Sequence, residues 1–155
     1  GPWRSRFRGQ LCDVDVGCGA LWLLKPMTFM NASGASVGLA TAALGLDLPD
    51  LLVVHDDLDL PFGRLRVKRA GGHGGHNGVR SVAEALGADG FARLRVGIGR
   101  PPVDFPGDTA DFVLEAFAPS EREELEPLLD RAAEAVVRVV RDGLDAAMNV
   151  VNQRG

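Results

Sequence analysis

Short apolar runs and amphipathic segments alternate along the chain, and this pattern predicts strands and helices in turn. Apolar runs at 20–24 and 51–57 predict strands, and the second run ends in two aspartates. Residues 64–70 and 93–99 alternate apolar with basic side chains, so each segment predicts a strand with one apolar face. The arginines and the lysine of these two strands are expected to point away from the core.

Three segments carry the spacing of helices. Residues 31–45 have small side chains at helical spacing, with Asn31 or Ser33 as the expected cap and Gly45 beyond the end. A shorter helix is predicted over 77–87. The last helix is predicted from an apolar stripe that ends before a glycine at position 143, and the stripe consists of Leu125, Leu128, Leu129, Ala132, Val136, Val139 and Val140.

Strands that alternate with helices predict an α/β fold. We expect a single domain over residues 1–155, with a twisted mixed sheet and helices on both of its faces. Ligands of such folds bind beyond the carboxyl ends of the strands. Asp56, at the end of the strand at 51–57, is expected at such a position.

Composition narrows the class of protein. The chain has 155 residues, 46% hydrophobic and 25% charged, which suits one globular domain with a sizeable core. No run of eighteen apolar residues is present, so no membrane partner is expected. Cys12 and Cys18 are the only cysteines, and two thiols predict a reduced, cytoplasmic protein rather than a disulfide framework.

Positive charge is concentrated in the middle of an acidic chain. The formal net charge is −4, yet residues 64–100 hold eight Lys and Arg against two acidic residues. The rest of the chain holds 9 basic and 19 acidic residues. This distribution favours a local site for phosphate or another anion, although a solvated basic face would look the same.

The segment "HDDLD", at 55–59, places three carboxylates within four residues. Such a group could bind a divalent metal, or it could hold a histidine in one tautomer. A turn at the strand exit is the purely structural explanation, since Asp favours turns and "LPFG" follows. No other segment has fitting ligands at a familiar spacing, so no metal ligand is predicted.

The segment "GGHGGHNG", at 71–78, packs poorly and is costly to order. His73 and His76 could ligate zinc, but a second pair of ligands at a familiar spacing is missing. The loop could cradle phosphate, but it does not match the usual glycine patterns. We favour a loop that brings the backbone close to a ligand and presents Asn77 at the start of a helix.

The segment "KPMTFMNASG", at 25–34, lies between a predicted strand and a predicted helix. An asparagine such as Asn31 is most often a helix cap there. Phe29 and Met30 would most often belong to the core. Taken alone, the segment is therefore explained by structure.

Together these segments resemble bacterial peptidyl-tRNA hydrolase. The matching text is "KPMTFMNASG", "VVHDDLDLPFGRLRVKRAGGHGGHNGVRSV", "FARLRVGIGRP" and "DFVLEAF", and the match runs from about Phe7 to the end of the chain. The resemblance implies an enzyme of α/β fold that cleaves the ester between peptide and tRNA. It also implies a cytoplasmic monomer without metal or organic cofactor, whose partner is peptidyl-tRNA, bound at the acceptor stem and the 3′ end.

The resemblance also implies roles for individual residues. Asn31 would bind the 3′ end of the substrate and position the attacking water, in a cleft lined by Phe29 and Met30. Asp56 would hold the catalytic histidine and support its basic form. Asn77 would bind the terminal nucleotide and the ester region.

Lys68 and Arg95 match the pair that clamps the 5′ phosphate of tRNA, which agrees with the basic middle of the chain. His73 and His76 would be structural or would support the residues that contact the substrate, and neither would be the general base.

Two motifs of the family are not found in this sequence. They are a first strand that ends in a G-x-x-N-P-G-like turn and a "TRHN"-like stretch with the catalytic histidine. We therefore expect the 155-residue chain to have little or no hydrolase activity. The alternative is a non-catalytic RNA-binding relative that keeps Lys68, Arg95 and Asn77.

Overall fold

Six strands and four helices follow one another in the computed structural model, which describes residues 1–17, 19–99 and 119–154. The strands are β1 Arg4–Arg6, β2 Gly9–Asp15, β3 Ala20–Pro26, β4 Leu52–Asp57, β5 Leu65–Lys68 and β6 Ala92–Gly97. The helices are α1 Ser33–Leu44, α2 Asn77–Leu86, α3 Pro119–Asp142 and α4 Leu144–Val151. Short 3-10 helices span Met30–Ala32, Leu48–Asp50 and Asn152–Arg154. Cys18 and the family-like segment at 111–117 lie outside the described residues.

The first sheet is an antiparallel meander in the order β1-β2-β3. Strand β3 confirms the strand predicted at 20–24, whereas β1 and β2 were not predicted. All three residues of β1 are exposed, and in β2 the neighbours Leu11 and Cys12 are both buried. Neither strand therefore shows the period of two by which a half-buried strand is recognised.

The second sheet has the order β4-β6-β5, with β4 parallel and β5 antiparallel to β6. The α/β class and the mixed pairing are thus confirmed. The described strands form two three-stranded sheets rather than the one sheet that was expected. Periodicity identifies a strand but carries little information about its partners, so the division of the strands into two sheets could not be predicted.

Helices pack on both faces of the second sheet. Val67 on β5 lies opposite Leu94 on β6, and both pack against Ala132 of α3. On the other face, Val53 of β4 packs with Phe91. The other buried members of the two clusters are Ala135 and Val151 on the first face, and Val37, Val79 and Val82 of α1 and α2 on the second.

Helices α1 and α2 approach each other closely at Gly34. A Cβ atom at this position would lie 2.1 Å from the carbonyl oxygen of Ser81. The amide of Gly34 also donates a hydrogen bond of 2.9 Å to Oγ of Ser81. This contact holds the first turn of α1 against α2 at Ser81.

Three helix ends agree with the sequence. Gly45 and Gly87 end α1 and α2 in the left-handed conformation, with φ of +66° and +69°. Gly143 follows α3 as expected, but the chain then forms α4, which was not predicted. Helix α4 has eight residues, so its apolar stripe is too short to stand out in the sequence.

Asn152 pairs with the free edge of β5, and this contact generates a test of stability. Its side chain accepts a hydrogen bond of 2.7 Å from the amide of Val67 and donates one of 3.0 Å to the carbonyl of Val67. Asn152→Ala leaves both backbone groups unpaired, so the free energy of unfolding should fall by about 1–3 kcal/mol in urea titrations. Asn149→Ala, at an exposed position of α4, is the matched control. Equal losses in the two variants would contradict the assignment.

Candidate active site

The carboxyl ends of the parallel strands β4 and β6 meet at one edge of the second sheet. His55, Asp56 and Asp57 lie there opposite Arg95, Val96 and Gly97, respectively. This is the edge at which open α/β sheets bind ligands. Asp56 thus lies at the carboxyl end of its strand, as predicted.

A histidine from the glycine-rich loop binds Asp56. Nε2 of His76 lies 2.8 Å from Oδ1 of Asp56. Nδ1 of His76 accepts a hydrogen bond of 3.1 Å from the amide of Val79, which makes His76 the cap of α2. Since Nδ1 accepts, the proton of the neutral ring is on Nε2 and points at the carboxylate.

This hydrogen bond sets the electrostatics of Asp56. The bond from His76 is the main reason why the pKa of Asp56 lies below its usual range, and it outweighs the opposing effect of burial. Asp56 was expected to hold a catalytic histidine of a "TRHN"-like stretch. In the described part of the chain, the imidazole that it holds is that of His76.

His55 packs against this pair. Its ring and that of His76 meet edge to face, with centroids 4.9 Å apart. Nδ1 of His55 lies 2.8 Å from the carbonyl oxygen of Asp56 and therefore donates to it. Burial lowers the pKa of His55, so the ring is neutral at pH 7. Its Nε2 is buried and has no hydrogen-bond partner among the described residues.

Three glycines of the loop have backbone conformations that other residues rarely adopt. Gly71, Gly74 and Gly75 have φ of +136°, +58° and +82°. A Cβ atom on Gly71 would lie 2.8 Å from Nζ of Lys68, so the loop rests on the lysine side chain. The amide of Gly75 donates to Nδ1 of His73 at 2.9 Å. The glycines therefore fit the loop to the sheet, and contact with a ligand stays a prediction.

The segment at 27–31 lies beside the start of α2. A Cβ atom on Gly78 would be 2.7 Å from Sδ of Met30 and 2.9 Å from the ring of His76. Phe29 is 87% exposed, although a residue of its type would most often belong to the core. Met30 is exposed as well. Met30 thus lies next to His76, in a segment whose other apolar side chains, Met27 and Phe29, are exposed.

Asn31 and Asn77 are both exposed at this edge. The expectation that Asn31 or Ser33 caps α1 is wrong, because the cap is Ala32, without a side-chain hydrogen bond. Oγ of Ser33 instead donates to the carbonyl of Met30. Since His76 caps α2, Asn77 is not used as a cap either. Neither carboxamide is therefore needed to cap its helix.

The basic face of β5 and β6 differs from the expectation of outward-pointing arginines. Lys68 is exposed, but Arg93, directly opposite it, is 2% exposed. Nε of Arg95 donates to Oδ2 of Asp57 at 2.5 Å, and both side chains are largely buried. Burial alone would raise the pKa of Asp57, but the hydrogen bond from Arg95 helps to hold it below the usual value.

Sequence reasoning missed the roles of Arg93 and His76. Arg93 and Arg95 occupy equivalent positions of an alternating strand, so nothing in the pattern indicates that a loop covers Arg93. His76 stands directly before a predicted helix, and that position was the one available sign of a cap.

Neither a metal site nor a membrane span is found within residues 1–17, 19–99 and 119–154. In this part of the chain, no three side chains of His, Cys, Asp or Glu are grouped so that they could hold a metal ion. None of its helices is long and apolar enough to cross a membrane.

Comparisons with known proteins agree with one another. The family model described as peptidyl-tRNA hydrolase matches residues 2–155. A peptidyl-tRNA hydrolase of Geobacter sp. (strain M21) is 46% identical over 151 residues, which cover 97% of this chain and 79% of that protein. One of Sorangium cellulosum is 46% identical over 153 residues, covering 99% and 69%. The crystal structure of peptidyl-tRNA hydrolase from Acinetobacter baumannii has a TM-score of 0.87 and 32% identity, covering 97% of this chain and 76% of that chain.

Removal of His76 should destabilise the protein in a pH-dependent way. His76→Ala deletes the bond to Asp56 and the cap of α2, so the free energy of unfolding at pH 7 should fall by about 2 kcal/mol. The folded-state pKa of Asp56 is lowered, so its bond contributes fully above the unfolded-state pKa of about 3.9. That contribution disappears as the pH falls through the folded-state pKa. The difference between wild type and variant should therefore shrink in urea titrations below about pH 4.

The exposed His73 provides the control for this measurement. His73→Ala removes an imidazole that does not bind Asp56, so its effect on stability should be smaller and should not follow the titration of Asp56. A loss in His76→Ala that is constant from neutral to acidic pH would contradict the role of the pair.

Proposed function

The chain belongs to the peptidyl-tRNA hydrolase family of enzymes, and we propose that it acts on the ester that joins a peptide to the 3′ end of tRNA. One observation carries this proposal. The side chains predicted for the substrate's 3′ end come from three separate segments, and contacts through Met30, Gly78, His76 and Asp56 link these segments at one sheet edge. The edge is open, and its two asparagines are exposed.

Each side chain has chemistry that suits the substrate. The carboxamides of Asn31 and Asn77 can both donate and accept hydrogen bonds, as binding of a terminal ribose and an ester requires. Asn31 also positions the attacking water. Phe29 and Met30 offer apolar surface to the 3′ end and the first residues of the peptide. Asp56 is ionised and can orient an imidazole, as the carboxylate of a catalytic triad does.

We further propose that these 155 residues alone cleave slowly, because none of the three histidines has an accessible lone pair. Nδ1 of His73 and of His76 each accepts a backbone hydrogen bond, so the neutral rings carry their proton on Nε2. His55 has a bare Nε2, but that atom is buried. A general base must reach the water that it activates.

Single-turnover hydrolysis of a peptidyl-tRNA tests this proposal. We expect cleavage to be slower by about 10²–10⁴-fold than with the Geobacter sp. (strain M21) relative, which is the usual contribution of a general base. Asp56→Asn should have little further effect. Cleavage by the chain at the rate of the relative would contradict slow turnover, and His55→Gln, His73→Gln and His76→Gln would then identify the base.

RNA binding without hydrolysis is the second candidate function. It is favoured by the hydrogen bonds from backbone amides to Nδ1 of His73 and His76, because they occupy lone pairs that a general base would need. The ionised Asp56 favours hydrolysis, since a pure binder has little use for this carboxylate. Tight binding of deacylated tRNA with no cleavage of peptidyl-tRNA would support the binder. Absence of tRNA binding would contradict both functions.

We also propose that residues 1–155 form one domain that acts as a monomer in the cytoplasm, with peptidyl-tRNA as partner at its acceptor stem and 3′ end. The family implies no metal or organic cofactor. The free, buried thiol of Cys12 is consistent with a reducing compartment.

Lys68 and Arg95 are proposed to clamp the 5′ phosphate of tRNA. Lys68 is exposed, and Asp57 engages Nε of Arg95, so the guanidinium has further N–H donors for a phosphate. Lys68→Ala or Arg95→Ala should weaken tRNA binding and reduce the slope of log K against log salt by about 0.7–0.9. Arg138→Ala removes a cation of α3, on the other face of the sheet, and is the control. Unchanged affinity and slope in both clamp variants would show that the assignment is wrong.

A further inference from the structure

Arg93 places a cation inside the protein, in the middle of the second sheet. It lies on β6, between Val53 of β4 and Lys68 of β5, and only 2% of it is exposed. Two cations directly opposite each other in a sheet repel, and burial of a charge costs free energy unless it is hydrogen-bonded. The position therefore needs a compensating set of contacts.

Backbone carbonyls supply those contacts. Nη1 donates to the carbonyl oxygen of Gly72 at 2.5 Å, and Nη2 donates to that of Asp89 at 2.9 Å. The guanidinium also lies 4.5 Å from the ring centroid of Phe91. Nε has no partner among the described residues. An apolar side chain would fill such a site at a lower cost in free energy. What an arginine adds is the hydrogen bonds to the two carbonyls.

The carbonyl of Gly72 belongs to the loop that carries His76 and Asn77. Within the loop, the amides of Gly75 and His76 bond to His73. Among the described residues, the loop at 71–76 contacts the sheet through His76, which meets Asp56 and His55, and through Gly71, which meets Lys68. The bond from Arg93 adds a hydrogen bond to the loop backbone itself. Because four of the six residues at 71–76 are glycines, the loop has little stiffness of its own.

We propose that Arg93 is a positioning residue: its buried guanidinium fixes the glycine-rich loop to the sheet and so places Asn77 where the 3′ end of tRNA binds. The part of this inference that concerns tRNA rests on the proposed function, whereas the part that concerns the position of the loop does not. Arginine suits the task because its planar fork reaches two carbonyls in different segments at once. A lysine would keep the charge but has one nitrogen for both.

Arg93→Lys tests the proposal with two measurements. The first is hydrogen exchange of the free protein, in which the amides of Gly75 and His76 should exchange about tenfold faster than in wild type. The second is affinity for intact tRNA and for tRNA without its 3′-terminal nucleotide. Wild type should prefer intact tRNA, whereas Arg93→Lys should lose most of that preference and keep its affinity for the shortened tRNA. Arg138→Lys, on α3, is the control for an arginine-to-lysine change.

The two measurements separate positioning from mere stability. Loss of folded protein would weaken the binding of both tRNAs equally. A loss confined to the preference for the 3′-terminal nucleotide therefore requires a displaced loop. Unchanged exchange of the loop amides would overturn the proposal, and so would faster exchange with an intact 3′-end preference. If wild type bound no tRNA, the proposed function would fail, and loop exchange would still decide whether Arg93 holds the loop.

A second variant covers the case in which Arg93→Lys does not fold. Phe91→Leu keeps the guanidinium but removes the ring against which it stacks. The amides of Gly75 and His76 should then exchange faster relative to those of α3, which packs on the other face of the sheet. Equal acceleration in the loop and in α3 would show general destabilisation and would overturn the proposal.

Discussion

The hydrogen bond between Nε2 of His76 and the carboxylate of Asp56 joins the glycine-rich loop to the end of β4. The same imidazole accepts the amide of Val79 and begins α2, so one side chain fixes a strand end, a loop and a helix. The pairing of β4 with β6 sets the position of Asp56, and the contact with His76 is the main cause of its lowered pKa. The rest of the site is arranged around it, with Met30 on one side and Asn77 directly after it.

The loop can take this shape because it is anchored to the sheet from below. Lys68 lies under Gly71, and Arg93 holds the carbonyl of Gly72. Lys68 and Arg93 face each other across the two strands, and this pair of like charges would be unfavourable alone. The backbone above them compensates, because the carbonyl oxygen of Gly72 accepts a hydrogen bond from Arg93. A segment that is costly to order alone is therefore ordered by the basic residues of the neighbouring strands.

Much of the fold could be read from the sequence, since β4, β5, β6, α1 and α2 follow clear periodicity. Asp56 and the exposed asparagines lie at one edge, as expected, and their roles stay predictions. The burial of Arg93 and the pairing of Arg95 with Asp57 were not predictable, because alternation assigns a face to a side chain but not the segment that covers that face. The pairing of His76 with Asp56 was not predictable either, because it joins the loop to the end of a strand that lies 20 residues earlier in the chain.

The central claim is that the 3′ end of tRNA binds at the edge formed by Asp56, His76 and the segment at 27–31. Hydrogen exchange of the whole chain, with and without deacylated tRNA, tests it most directly. The account predicts slower exchange in peptides that cover residues 27–33 and 71–80, and little change in α3 and α4. Protection confined to α3 and α4, with residues 71–80 unaffected, would contradict the account.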